Sequence, residues 1–233
     1  MTSSVRTAIG AALLDALALV LPVRCSGCGA PDRAVCEACA QAFAGEPLRR
    51  SVGDSLLVIS AASYDGTVAA IVAAFKDAGR LDAAPVLGVT LRQTIGHALL
   101  IEPSGSGAIG PLLLVPVPGS RSAMRRRGFS PVERVARAAR LPLTRALTAK
   151  RQVADQRRLG ATQRAANVVG AFVARRDLTG RRCILFDDVV TTGSTLVEAQ
   201  RALSAAGATV VFAVTIAATP ISRPNRGSAQ NPG

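Results

Sequence analysis

Apolar residues run along this chain in short unbroken blocks, most of them followed by a turn and then a longer stretch at helical spacing. Short continuous apolar runs suit strands buried on both faces, and a 3.6-residue period suits a helix packed by one side. Leu56 to Ser60 predicts a strand, Asp65-Gly66 a turn, and Thr67 to Asp77 a helix. Residues 84–99 predict a second helix and 102–110, "EPSGSGAIG", a linker. "PLLLVPVPGS" (111–120) predicts a buried strand, "RSAMRRRGF" (121–129) a basic loop, and "PVERVARAAR" (131–140) a helix opened by Pro131. Residues 143–176 are polar and arginine-rich. Cys183 to Phe186 predicts a strand, Leu196 to Ala206 a helix stopped by Gly207, and 208–219 a last strand. The tail from Pro220 has a disordered composition. Strands alternating with helices imply an α/β fold, a parallel sheet flanked by helices through right-handed crossovers. Ligands of such sheets bind beyond the carboxyl ends of the strands. The loops after "VPVP" and after the strand of Phe186 are therefore expected to open on one edge.

The amino-terminal block Ala8 to Val23 is the most apolar, yet it falls short of the ~18–20 residues of a membrane span. It has two readings, the apolar region of a signal peptide or a packed amphipathic helix. Asp15 in its middle and Arg24 before Cys25 make a poor signal and cleavage context. Leu13, Leu14, Leu17 and Leu21 lie near helical spacing, so a helix over residues 1–24 and a cytoplasmic protein without a membrane span are expected. The 28 Lys and Arg against 15 Asp and Glu give a net charge of +13. Such a balance favours polyanions, including nucleic acid, or else spreads over a solvated surface.

Four of the five cysteines form "CSGCGAPDRAVCEAC": Cys25, Cys28, Cys36 and Cys39. Two C-x-x-C pairs can converge on one tetrahedral ion, with glycines at 27 and 29 easing the first turn. A redox pair or disulfides are the alternatives; in a cytosolic chain structural zinc is preferred. Cys183 reads as an inert core residue.

The chemistry concentrates in "DDVVTTGST", Asp187 to Thr195. Thr191, Thr192, Gly193, Ser194 and Thr195 lie between a strand's end and a helix's start, where backbone N–H groups and the helix dipole favour an anion. A phosphate suits that loop, with Val189 and Val190 leading into it. Asp187 and Asp188 repel phosphate but can accept from hydroxyls or hold magnesium. A ligand with a phosphate at one end and vicinal hydroxyls nearby is a ribose 5-phosphate. The plainer alternative is a solvated acidic turn and a helix cap.

The whole stretch resembles the 5-phosphoribosyl-1-pyrophosphate (PRPP) signature of type I phosphoribosyltransferases. Further landmarks extend the resemblance to the ComF family of competence proteins: the cysteine knuckle, the Tyr64-to-Lys76 segment, "VPVPGSRSAMRRRGF", and Arg151, Gln156, Leu159, Arg164, Asn167 and Phe172 in family order. Coverage runs from about Leu13 to Thr219, and Ser130-Pro131 departs from the family's usual Asn-Gln. The resemblance implies a phosphoribosyltransferase-like domain over 51–219, after an amino-terminal helix and four-cysteine knuckle over 1–50 and before a tail over 220–233. It implies that Pro118, Gly119, Ser120 and Arg121, with Arg125 and Arg127, bind pyrophosphate. Asp187 and Asp188 would bind the ribose hydroxyls as the catalytic pair, and 191–195 the 5′-phosphate. A closing loop would carry Lys150, Arg151, Gln156 and Arg164, unless that ladder is a solvated surface. The implied cofactors are structural zinc and magnesium with PRPP. The implied roles are phosphoribosyl transfer to an unknown acceptor, or handling of single-stranded DNA in uptake beside a competence helicase or other uptake proteins. An effector-sensing role is a third. His97, Phe129 and Phe172 read as ordinary helix or core residues.

Overall fold

The computed structural model describes residues 23–101, 111–150 and 169–220. The expected amino-terminal helix, the 102–110 linker, most of the basic ladder (Arg151, Gln156, Arg164) and the tail after Pro220 lie outside them.

One sheet of five strands carries the fold, in the order β1 (Leu48–Val52), β2 (Leu56–Ser63), β7 (Thr209–Ala218), β6 (Arg182–Val190), β3 (Leu112–Pro116). Four strands are parallel, as the alternating pattern requires. β1 pairs antiparallel with β2 through a tight hairpin, making the sheet mixed rather than all parallel. Its polar sequence, "LRRSV", had hidden it, because an edge strand need bury only part of itself. The boundary expected at residue 50 falls inside β1. β4 (Leu147–Ala149) and β5 (Phe172–Ala174) form a separate antiparallel pair.

Strand alternation divides the core into two layers. Ile59, Ile184, Phe186 and Val214 face one layer with α2 (Gly66–Asp77), α3 (Ala84–Ile101) and α5 (Pro131–Ala138). Val58, Cys183, Leu185 and Ala213 face the other with α6 (Ser194–Ser204) and the β4–β5 pair. The cysteine knuckle and its short helix α1 (Glu37–Ala40) join the first layer: Cys25, Cys39 and Phe43 are buried in the same cluster as Ile71 and Phe75. α3 approaches α5 closely at Gly88, where a Cβ would lie 2.7 Å from the Ala139 backbone nitrogen.

Two boundaries differ from the sequence reading. The expected basic loop 121–129 is instead a helix, α4 (Arg121–Arg127), capped by the Ser120 hydroxyl accepting from Ala123 N at 3.2 Å and stopped by Gly128 in the left-handed region. Consecutive arginines are good helix formers, and Ser120 and Gly128 supply the cap and the stop that close the segment as a helix. β6 also runs on through the acid pair to Val190, so the carboxylates lie within the end of a strand instead of following one. Phe129, partly buried, packs on the core edge-on to Phe75 at 5.9 Å, and Phe172 is buried within it, as expected.

Candidate functional site

Parallel pairing sets the site. β3 and β6 are neighbours with Pro116 opposite Phe186, and Val117 N donates to Phe186 O at 2.9 Å. The Pro118–Ser120 loop therefore leaves the sheet beside Asp187 and Asp188, and both loops open on the same edge. Alternation slips at the acids: Ile184 and Phe186 face the first layer, but Val189 rather than Asp188 continues it. Both carboxylates are left half-buried at the rim.

Each acid is held differently. Lys76, near the end of α2, donates to Asp188 Oδ1 at 2.9 Å. Asp188 also accepts from Val189 N at 2.7 Å, and Asp187 accepts from Asp188 N at 2.8 Å. Burial, then the Asp188 charge beside it, push the Asp187 carboxyl up to about 8, against smaller opposing effects of the Asp188 N–H and of Lys76. A pair so arranged holds one proton near neutral pH and favours a cation or hydroxyl donors that would replace it. A second buried polar pair lies in the same register row. Ser60 and Thr215 hydroxyls meet at 2.7 Å, with Thr215 opposite Asp187.

Because its carboxyl is raised in the folded state above the ordinary value of 3.8, Asp187 makes the folded chain bind the extra proton between about 4 and 8. Its contribution to stability is then lost as pH rises through that window. In metal-free buffer the urea midpoint is expected to fall toward pH 8, and Asp187→Asn to flatten that slope. An unchanged slope in the variant would show that Asp187 does not titrate there.

The loop after β6 is shaped by one glycine. Gly193 has φ +83°, and a Cβ there would lie 2.5–2.9 Å from Val52 atoms. Both the backbone and the neighbour therefore demand glycine. Thr192 and Ser194 hydroxyls meet at 2.9 Å, and Ser194 opens α6. Arg50 of β1 donates to Thr191 O at 2.6 Å and to Thr219 O at 3.3 Å, tying the loop to the sheet's far edge. Gly193→Val is expected to cost about 2–4 kcal/mol, from left-handed backbone strain and overpacking together. Denaturant unfolding measures it; a cost under ~0.5 kcal/mol would mean that Val52 simply moves aside.

Of the other expected residues, Pro118, Gly119 and Arg125 line a cavity beside β3. Arg127 is committed to Asp77 at 2.8 Å, which ties α4 to the end of α2. Arg121 begins α4. Lys150 ends β4's segment, its N–H donating to Ala171 O at 2.8 Å. Sequence reasoning missed four contributors. Lys76 closes the Tyr64-to-Lys76 segment, which carries no sign of its partner Asp188. Arg50 looked like one more basic residue. Buried Glu198 of α6 accepts from Phe172 N at 3.2 Å and from Arg201 at 2.7 Å, fixing β5 to α6. Arg145 pairs both nitrogens with Glu133 at 2.7 and 2.6 Å. These partners lie 3 to 169 positions apart in sequence, and only an i,i+3 pair such as Glu198–Arg201 leaves a local signal.

The four cysteine sulfurs lie within 4.8 Å of one another, with Cys28 and Cys36 Sγ 3.7 Å apart. Tetrahedral Zn–S bonds of ~2.3 Å put sulfurs roughly 3.8 Å apart, so the cluster fits a bound zinc. Gly29 takes φ +78°, while Gly27 is needed for space, since a Cβ there would meet Cys39 Sγ at 2.8 Å. At Cys25, burial opposes the thiolate, but N–H groups of Cys36, Cys28 and Gly27 outweigh it and lower the thiol to about 6. Burial, then the neighbouring sulfurs, raise Cys39. A metal cation would relieve that conflict. Burial pushes the isolated Cys183 thiol up to about 11, in keeping with an inert core residue.

With parallel strands delivering an acid pair and a glycine-shaped loop to one edge, the chain is a type I phosphoribosyltransferase-like protein. Residues 123–228 match the phosphoribosyl transferase domain family. The chain is also 29% identical over 163 residues to the DNA utilization protein YhgH of Escherichia coli K12, covering 66% of this chain and 68% of that one. The same protein from Escherichia coli O157:H7 and from Shigella flexneri matches to the same extent. These matches support the ComF-family resemblance that the sequence motifs carry. Among the described residues, no helix is long and apolar enough to cross a membrane.

Proposed function

We propose that the chain binds PRPP with magnesium at the rim of β6 and transfers its phosphoribosyl group to an acceptor, as a cytoplasmic protein. The observation that carries this reading is the adjacency of the half-buried acid pair to the Gly193 loop at the amino end of α6. The loop's N–H groups and hydroxyls suit a 5′-phosphate. Asp187 and Asp188 suit the ribose 2- and 3-hydroxyls, with Lys76 setting the orientation of Asp188. The Pro118–Ser120 turn and Arg125 suit the pyrophosphate. Magnesium, when bound, neutralises charge on the leaving pyrophosphate. The residues' part is to orient the sugar so that the anomeric C–O bond breaks with its electron pair leaving on pyrophosphate, through an oxocarbenium-like state. The Lys150 segment, with Arg151, Gln156 and Arg164, is proposed as the closing cover.

Calorimetric titration of PRPP with magnesium into the zinc-loaded chain tests the reading; saturable binding is expected, and none at millimolar ligand would reject it. A second reading is handling of single-stranded DNA during uptake. It is favoured by the similarity to the DNA utilization protein of Escherichia coli and by the net charge of +13. Its test is the dependence of oligonucleotide affinity on salt, which must be steep if phosphates are contacted.

A further inference from the structure

α3 (Ala84–Ile101) is apolar on both sides. Inward, Leu87, Leu91 and Ala98 are buried in the first core layer. Outward, Val89 is 56% exposed, Leu99 39% and Leu100 83%. At 3.6 residues per turn Pro85, Val89, Gly96 and Leu100 fall on one side of the helix, with exposed Arg92 and Gln93 at its flanks. A helix that is apolar all round is ordinarily covered all round. Gly96 adds a second observation. Glycine inside a helix is less stable than alanine, so it needs a reason. Gly88 has one, since it clears the Ala139 backbone of α5, but a Cβ at Gly96 would meet no atom within 4 Å. Gly96 leaves room for another backbone to approach the outward side, as Gly88 does on the inward one.

The chain itself supplies a candidate occupant. Arg80, just before α3, donates to Arg24 O at 2.7 Å. Cys25 shares its core cluster with Ala83, Ala84 and Leu87. The residues before Val23 therefore lead into the fold at the amino end of α3. From this we infer that residues 8–21 dock as an amphipathic helix along the outward side of α3, antiparallel to it. The antiparallel sense follows from the point of entry: Leu21 lies toward Val89, and Leu13 toward Gly96 and Leu100. The lengths agree, since residues 8–21 span roughly 21 Å as a helix and the 18 residues of α3 roughly 27 Å. Pro22 ends such a helix at Leu21. Leu13, Leu14, Leu17 and Leu21 make one stripe, with Asp15 on the opposite side, in water. A segment joined to the fold by so short a link reaches the face at an effective concentration on the order of millimolar, far above that of a second copy in dilute solution. Arg24 is also bridged to Pro31 of the knuckle, so the knuckle anchors the docked helix. The inference is independent of PRPP binding.

Limited proteolysis of the full zinc-loaded chain with thermolysin, which cuts before large apolar residues, tests the docking by mass spectrometry of the fragments. Cleavage within residues 8–21 is expected to be slow in the parent chain and about tenfold faster in Leu100→Asp and in Gly96→Leu, which spoil the face. Both positions are exposed, so the rest of the fold is retained, and circular dichroism checks it. Leu17→Asp is expected to release the segment from the other side. The double variant Leu17→Asp/Leu100→Asp should be cut no faster than either single variant, because both changes break the same contact. Cleavage of the parent chain as fast as that of a synthetic peptide of residues 1–22 overturns the inference. So do rates that Leu100→Asp and Gly96→Leu both leave unchanged, or effects of Leu17→Asp and Leu100→Asp that multiply. Light scattering on the same samples identifies the other occupant: a parent dimer that Leu100→Asp dissociates without altering cleavage of residues 8–21 means that a second copy covers α3, and this too overturns the inference.

Discussion

Asp188→Asn is expected to weaken PRPP binding in magnesium by roughly 10–100-fold, while the folded chain persists. Asp188 is the acid that the protein itself pins, through Lys76 at 2.9 Å and Val189 N at 2.7 Å. The amide keeps the shape but removes the charge, and hydrogen bonds to a charged acceptor are worth about 1.5–3 kcal/mol. The loss has a second source. Lys76 would lose its ion-pair partner, and its side chain would be held less firmly at the rim. The neighbouring carboxyl should respond too. Without the Asp188 charge, one of the two causes that raise Asp187 disappears, so Asp187 should titrate lower than about 8. A dissociation constant equal to that of the parent chain would remove the acid pair from the site. A matched loss in Lys76→Met, with the fold intact, would show that orientation of Asp188 is part of binding.

Stripping metal from the cysteine knuckle is expected to destabilise the whole chain and not the knuckle alone. Cys25 and Cys39 are 4% and 6% exposed and pack in one cluster with Ile71, Phe75 and Leu87 of α2 and α3. Thiolates left without an ion would either repel or take up protons at cost, as the raised Cys39 indicates. A loss comparable to removing one large core side chain, about 4 kcal/mol, corresponds to a fall in Tm of roughly 8–16 °C for a chain of this size. Elemental analysis is expected to give one zinc per chain. A chain purified without chelator that contains no metal and melts unchanged after chelation would reject the site.

How far the sequence reaches depends on how local each signal is. The apolar blocks Leu56–Ser60, 111–120, Cys183–Phe186 and 208–219 marked the four parallel strands, because a parallel strand buried on both faces must be apolar throughout. Gly207 marked the end of α6, and Pro131 the start of α5, for equally local reasons. The β1 edge strand was not legible, since "LRRSV" buries mainly Val52. α4 was misread because its arginines resemble a basic loop while its Ser120 cap and Gly128 stop are common to both. At the site, the spacing of "DDVVTTGST" is a property of consecutive residues and was legible. Lys76 on Asp188, Arg50 on Thr191, and Glu198 on Phe172 N were not, because nothing in a linear pattern pairs residues 112, 141 or 26 positions apart.

The sequence by itself determined that this is an alternating α/β chain with a four-cysteine knuckle, and that its acids and phosphate-type loop adjoin. Those are consequences of burial period and of short-range turn chemistry. Only the tertiary structure decided that Lys76 holds one acid while burial and its neighbour raise the other. It alone decided that Gly193 exists to clear Val52 and that the knuckle shares the main core. Each of these follows from which strands become neighbours, and strand order is set by long-range packing that no local pattern encodes.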